Sequence, residues 1–311
     1  MKKLLFTTLF GLLVNVAFSC DVCGCSVGGF TPGLASFQNK HLVGLGYMSR
    51  SFESEHPTLF EGEIPKKSFE EFNNVSITGK YSPHRHIQLT AIVPFHHFQK
   101  NEEGKHIANS GIGDAQFHTH FVLAKSKSDS SNFATRATIG AGVKAPTGTY
   151  NSNDNDGGTI IPAMQMGSGS WDAILSSTFL QRVFGWGIYA EGFYRLNQEN
   201  KSGYRFGNRG FVNAKLLRWI QLGEASQWLI MPEAGIGYES MDKDYDNYFK
   251  NEVNPYTGGY FLDGTAGLNI FYKNYNAGFS IRIPIKQQFA QGLVTTSPAL
   301  NFQINYLIKS K

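Results

Sequence analysis

Past residue 25 this 311-residue sequence contains no cysteine; all three stand together in CDVCGC, at Cys20, Cys23 and Cys25. Disulfides therefore cannot staple the body of the chain, which must be held by packing and backbone pairing. Charge is scarce as well. Asp, Glu, Lys and Arg make up 17% of the residues and the net charge is only +4. No basic run with interleaved aromatics occurs, so nothing points to a nucleic-acid partner. Long apolar runs are equally lacking: the best, Leu4 to Val16, falls short of the roughly 20 residues a spanning helix needs. With a mean hydropathy of −0.25, a helical membrane protein is excluded. What is plentiful is glycine, 34 residues, and aromatic side chains, 14% of the chain, a balance that suits a half-apolar β protein.

The start of the chain reads as a secretory signal over residues 1–19. Lys2 and Lys3 precede the apolar run, and small residues Ala17 and Ser19 offer a cleavage site. A Cys- and Gly-rich segment, 20–39, would then lead into one domain, 40–311. Cleavage just before Cys20 also admits acylation there, although Ala17 and Phe18 match the lipoprotein pattern poorly.

From His41 onward apolar and polar residues alternate. In Asn74 to Tyr81, Val75, Ile77, Gly79 and Tyr81 share one face while Asn74, Ser76, Thr78 and Lys80 share the other. That period of two predicts β-strand. Similar segments are His41–Phe52, Ile87–Phe98, Ile112–Leu123, Thr135–Ala145, Ser170–Gln181, Gly187–Leu196, Gly210–Leu217, Leu229–Glu239, Tyr260–Phe271, Ala277–Lys286 and Pro298–Ile308. The total is about twelve, each near the length of a tilted membrane strand. Alternation also fits a soluble sandwich; the connectors decide. Long ones (Glu53–Lys67, Gln99–Ser110, Pro146–Gly169, Asn197–Gly207, Ser240–Gly258, Gln287–Ser297) alternate with shorter ones such as Ser82–His86, Arg182–Trp186 and Tyr272–Asn276. The expectation is an all-β transmembrane antiparallel up-and-down barrel in the outer membrane, with long loops outside and both termini in the periplasm. Aromatics near strand ends, among them Tyr81, Trp171, Trp186, Tyr194, Trp228 and Phe271, are expected in the interfacial girdles.

Two segments carry a family likeness: GIGDAQF (Gly111 to Phe117), and GVKAPTGTY with PAMQMGSGSWD (Gly142 to Tyr150, Pro162 to Asp172). They resemble the outer-membrane barrels of the MetA-pathway-of-phenol-degradation family, distantly similar to the long-chain fatty-acid channels. The N-terminal CDVCGC is similar to that of a bacteroidete-type subgroup. The resemblance implies an outer-membrane transporter for small hydrophobic molecules and carries no binding residue with it. Physically, the glycines of these motifs allow close strand approach or bulges.

With apolar faces toward lipid, the lumen would receive Lys80, Gln88, Thr90, Asp114, Gln116, His118, His120, Lys144, Asp172, Glu233, Asp263, Asn269, Arg282 and Lys286. Such an interior either passes a solute or is packed shut by mutually satisfied groups. His118 and His120 share a face two residues apart, and His86 lies across the hairpin. These imidazoles could hold Cu or Zn delivered by Cys20, Cys23 and Cys25, whose C-x-x-C-x-C spacing suits a soft ion; a Cys23–Cys25 or Cys20–Cys23 disulfide explains the cysteines equally well. An outer-membrane hydrolase is a third reading, but GSGS (Gly167 to Ser170) is not a nucleophile elbow. Asn151–Gly158 departs from a calcium loop at both end positions, and Asp242, Asp244 and Asp246 read as a solvated acidic surface. The expected function is passive movement of a small-molecule solute through a barrel surrounded by outer-membrane lipid, with no catalysis and no cofactor beyond the Cu or Zn of the metal-handling alternative.

Overall fold

The computed structural model describes residues 40–56, 64–126, 133–150, 162–223, 227–246 and 252–309; the signal and cysteine segments lie outside them. Twelve antiparallel strands close on themselves. They are β1 His41–His56, β2 Lys66–His84, β3 Ile87–Glu102, β4 in two segments (Lys105–Ile112 and Ala115–Lys125), β5 Phe133–Ala145 and β6 Asp172–Val183. Then come β7 Trp186–Leu196, β8 Arg209–Arg218, β9 Trp228–Met241, β10 Gly259–Tyr272, β11 Tyr275–Phe289 and β12, again in two segments (Val294–Thr296 and Ala299–Ile308). Each strand pairs with its sequence neighbours, and β1 pairs with β2 on one side and β12 on the other. Closure leaves no edge within the belt, as a sheet in hydrocarbon requires; above it, among the described residues, Lys105–Ile112 pairs with β3 alone.

Alternation decides which face meets lipid. On β12, Leu300, Phe302, Ile304, Tyr306 and Ile308 are exposed, whereas the intervening Asn305 is buried at 1%. The same inversion, apolar out and polar in, holds on β2 and β5. In water it would be a long apolar surface; in a bilayer it is the solvated state. Exposed aromatics stand at both ends of the belt, Trp171, Tyr194 and Tyr238 at one and Trp186, Trp228 and Tyr275 at the other. The molecule is therefore an outer-membrane β-barrel.

Several expected boundaries move. The segment Gln99–Ser110 is not a long loop: β3 and β4 run on to a turn at Glu103 and Gly104, both with positive φ (48° and 83°). Above the belt the outward positions Glu71, Asn73, His97 and Gln99 become polar while the inner face continues through Phe72, Phe98 and Lys100, so hydrophobic contrast fades where pairing does not. β2 likewise begins at Lys66, and β11 runs to Phe289. The result is a rim of uneven height, since β1 to β3 have 16, 19 and 16 residues and β7 and β8 only 11 and 10.

A bulge on β11 corrects another expectation. Leu262 pairs with Lys286 but Asp263 with Pro284, so Ile285 is the extra residue. One added residue reverses the faces, and Lys286 is exposed on the outside rather than in the lumen. Phe271 also leaves the girdle: it is inward and buried at 8%, and its neighbour Tyr272 stacks on Trp228 at 4.4 Å between ring centroids.

Inside, side chains form layers. Near the outer mouth Met48, Phe52, Phe72, Phe98, Phe261, Phe289 and Val294 pack with Met164 and Met166 of the 146–171 loop. Near the periplasmic end Leu42, Tyr189, Leu217, Met231, Phe271 and Leu307 form a second apolar cluster. Between them lies a polar, charged band.

Candidate functional site

The quoted motifs meet at one point. β4 carries an extra residue: Phe95 pairs with Ile112 but Ile92 with Gln116, and Pro94 interrupts the ladder by lacking an N–H. The bulge turns Asp114 inward, where it is buried at 6%. There its carboxylate accepts from Lys144 Nζ (2.9 Å), Gly148 N (3.0 Å), Ser168 N (2.8 Å) and Ser168 Oγ (2.9 Å). Lys144 also pairs with Asp172 at 2.5 Å and contacts Ser168 Oγ. Asp172 in turn accepts from Ser170 Oγ (2.8 Å) and Gln198 N (3.0 Å). A lysine held between two carboxylates in a dry site must be surrounded in this way, because each partner left alone would be a costly buried charge. The effect is a latch that folds the end of the 146–171 loop into the barrel mouth and seats Met164 and Met166 against the phenylalanine layer.

The latch continues upward. Asn200 donates to Ser168 O (2.9 Å), and Tyr204 OH donates to Asp244 (2.5 Å), which also accepts from Gly207 N (2.6 Å). Tyr204–Arg205, Tyr245–Asp246 and Glu252–Val253 form a small three-stranded sheet across two loops. Asp244 is thus not the solvated residue expected from its acidic neighbours. It is buried at 6% exposure, and desolvation pushes its carboxyl up to about 6 against the bonds from Tyr204 and Gly207. The Asn151–Gly158 segment lies outside the described residues.

Across the lumen the acids are matched. Glu239, with 0% exposure, lies among Arg50 (4.0 Å), Arg282 (3.6 Å) and Arg209. Asp263 pairs with Arg282, and Glu233 accepts from Lys215 (2.8 Å) and Asn269 (3.1 Å). Arg282 also sits over the Phe211 and Phe261 rings at 5.0 and 5.2 Å.

The opposite wall differs. Register places Lys80 opposite Thr90, Thr90 opposite His118, and His118 opposite Gly142. The rings of His118 and His120 stack, 5.8 Å apart, over the space that Gly142 and Gly140 leave. Gln116 is buried beside them, paired with Lys144. His86 does not join: its Nδ1 lies 3.2 Å from Val122 O, beside the His84 ring in the turn. Stacked rings do not converge their lone pairs, and among the described residues no group of three or more His, Cys, Asp or Glu side chains is arranged to hold a metal ion. Cys20, Cys23 and Cys25 lie outside those residues. Ser176 Oγ lies 3.1 Å from His120 Nε2, but among the described residues no carboxylate bonds that ring as a hydrolytic triad needs.

No family model matches the chain, and no curated protein does. Solved structures do. An outer membrane channel from Pseudomonas putida F1 superposes with a TM-score of 0.62 at 14% identity, covering 90% of this chain and all (100%) of that one. The β domain of the Bordetella autotransporter BrkA gives 0.47 at 10% identity, covering 86% and 100%. A Pseudomonas aeruginosa FadL homologue gives 0.41 at 12% identity, covering 87% and 91%. The similarity to the Pseudomonas putida protein is one of fold.

Proposed function

We propose that this barrel is a passive channel for a small molecule with appreciable apolar surface, gated at its outer mouth by the latched loop. The observation that carries the reading is the latch itself: residues 162–171, the end of a loop, are folded inside the wall and held largely by hydrogen bonds to one carboxylate, at the mouth of a lumen lined with polar and charged groups. A constriction of that kind can be released without unfolding the barrel. The phenylalanine and methionine layer at the mouth favours a solute with an apolar body, and the fold shared with the Pseudomonas putida channel supports transport over catalysis.

Swelling of proteoliposomes in isotonic arabinose, against its larger phenyl glycoside, tests the reading. The phenyl glycoside should enter at least as fast as arabinose despite its size. Swelling no faster than in protein-free vesicles, with no single-channel conductance in planar bilayers, would refute the channel.

A further inference from the structure

Charge is divided unevenly around the barrel. Take the inward positions of β2 from Asn74 to Ser82, β3 from Gln88 to Pro94, β4 from Gln116 to Val122 and β5 from Arg136 to Lys144. They include Lys80, Arg136 and Lys144 and no acid. Lys144 is neutralised by Asp114 and Asp172 in the latch. Lys80 and Arg136 lie close enough for their charges to act on each other, and both also engage other groups of the fold. The facing wall holds its four acids, Glu191, Glu233, Glu239 and Asp263, in bonds of their own.

Around these cations are polar atoms that the described residues do not satisfy. Among those residues, Ser76 Oγ, Thr78 Oγ1, Ser82 Oγ and Gln88 Nε2 are buried without a hydrogen-bond partner, as is His118 Nδ1. The first four side chains are exposed by only 3, 1, 3 and 4%. Alternation aims all of them inward, and pairing keeps them on three adjacent strands. Clustered orphan donors of this kind each carry a desolvation penalty that a ligand could remove. Ile92 is opposite Thr78, and Ile174 opposite Gly142, so aliphatic surface borders the polar atoms.

We propose that this wall is a binding site for a small organic carboxylate, its oxygens taken by the hydroxyls and amide of β2 and β3 within the field of Lys80 and Arg136. The site deepens the channel reading, on which it rests, by naming the headgroup of the solute. Neutral donors with flanking cations suit a single negative charge, and the aliphatic border suits a short apolar body.

Equilibrium binding of benzoate to the purified, detergent-solubilised chain tests the site, with benzyl alcohol as the neutral analogue of similar shape. Benzoate should bind saturably and benzyl alcohol much more weakly. Thr78→Val keeps the side chain's shape and removes one donor to a charged ligand, so it should weaken benzoate about tenfold while leaving heat-modifiable migration intact. Lys80→Met should weaken it further; if that variant does not fold, Thr78→Val alone carries the test. Equal binding of the two compounds, no saturable benzoate binding, or unchanged affinity in folded Thr78→Val would overturn the proposal. Arabinose swelling of proteoliposomes reconstituted from the same preparations separates the two readings. Swelling without benzoate binding overturns only the carboxylate site, whereas benzoate binding without any swelling or conductance overturns only the channel and supports the site.

Discussion

Asp114→Asn is the sharpest probe of the latch. The wild-type carboxylate accepts four bonds, from Lys144, Gly148 and twice from Ser168. An amide of the same shape keeps one acceptor oxygen and turns an NH₂ toward groups that are themselves donors. Breaking a buried ion pair by removing one partner costs about 3–5 kcal/mol. Here Lys144 retains Asp172 at 2.5 Å, which offsets part of the loss, so a local cost of about 2–4 kcal/mol is the working figure. That energy acts on the closed position of the loop and not on the ladders of the barrel. The open population should rise by roughly 30- to 700-fold. Amide exchange at Ser168 and Gly148, whose N–H groups bond Asp114, should accelerate by a comparable factor, while exchange in β1, β2 and β12 stays slow. Mean single-channel conductance should increase. Unchanged exchange at Ser168 in a folded variant would refute the assignment of Asp114 as the holding residue.

Two further outcomes follow from the same structure. Asp244 has its carboxyl raised from 3.8 to about 6 in the folded loop sheet, so protonation favours the folded form. Its contribution is complete below about pH 4 and is lost as pH rises through about 6, a difference of about 3 kcal/mol at most. Proteolysis of the 242–258 loop should therefore be slower at pH 5 than at pH 7.5, and Asp244→Asn should flatten that difference; a wild-type loop equally resistant at both values would contradict it. Ile77, 60% exposed within the apolar belt, should lose about 2–4 kcal/mol of barrel stability as Ile77→Arg, read as a lower urea midpoint for folding into vesicles. The same change at Glu71, outward but above the belt, should have little effect, and equal losses at both positions would misplace the membrane.

The barrel was legible because its signal is local. Val75, Ile77 and Tyr81 against Ser76, Thr78 and Lys80 state both the strand and its faces within eight residues. Parity was lost at the residue inserted on β11. The bulge at Ile285 moved Lys286 to the outside, and no local feature marks it beyond Pro284, which also begins the shift. The raised rim was hidden for a different reason: above the bilayer the outward face is free to be polar, so Gln99 to Ser110 lost the contrast that reports a membrane strand. The latch lay within the quoted motifs, yet Asp114, Lys144, Ser168 and Asp172 are joined only by closure of β4, β5 and β6 around a folded loop. Glycine gave a partial clue. A Cβ on Gly142 would stand 2.6 Å from His118 Nδ1, so the paired glycines of β5 mark where two imidazoles rest; a spacing rule for metal ligands could not see that the rings lie flat instead of converging.

The unequal rim gives the mouth a tall side and a low side. β2 is 19 residues long and β8 only 10, a difference worth about 30 Å of strand at about 3.3 Å per residue, less in height because the strands tilt. Met164 and Met166, near the end of the 146–171 loop, pack in one cluster with Phe72 and Phe98 of the tall β2 and β3. Under the proposed channel reading, a solute arriving at the mouth would meet the short wall of β7 and β8 nearer the bilayer surface than the tall wall of β1 to β3.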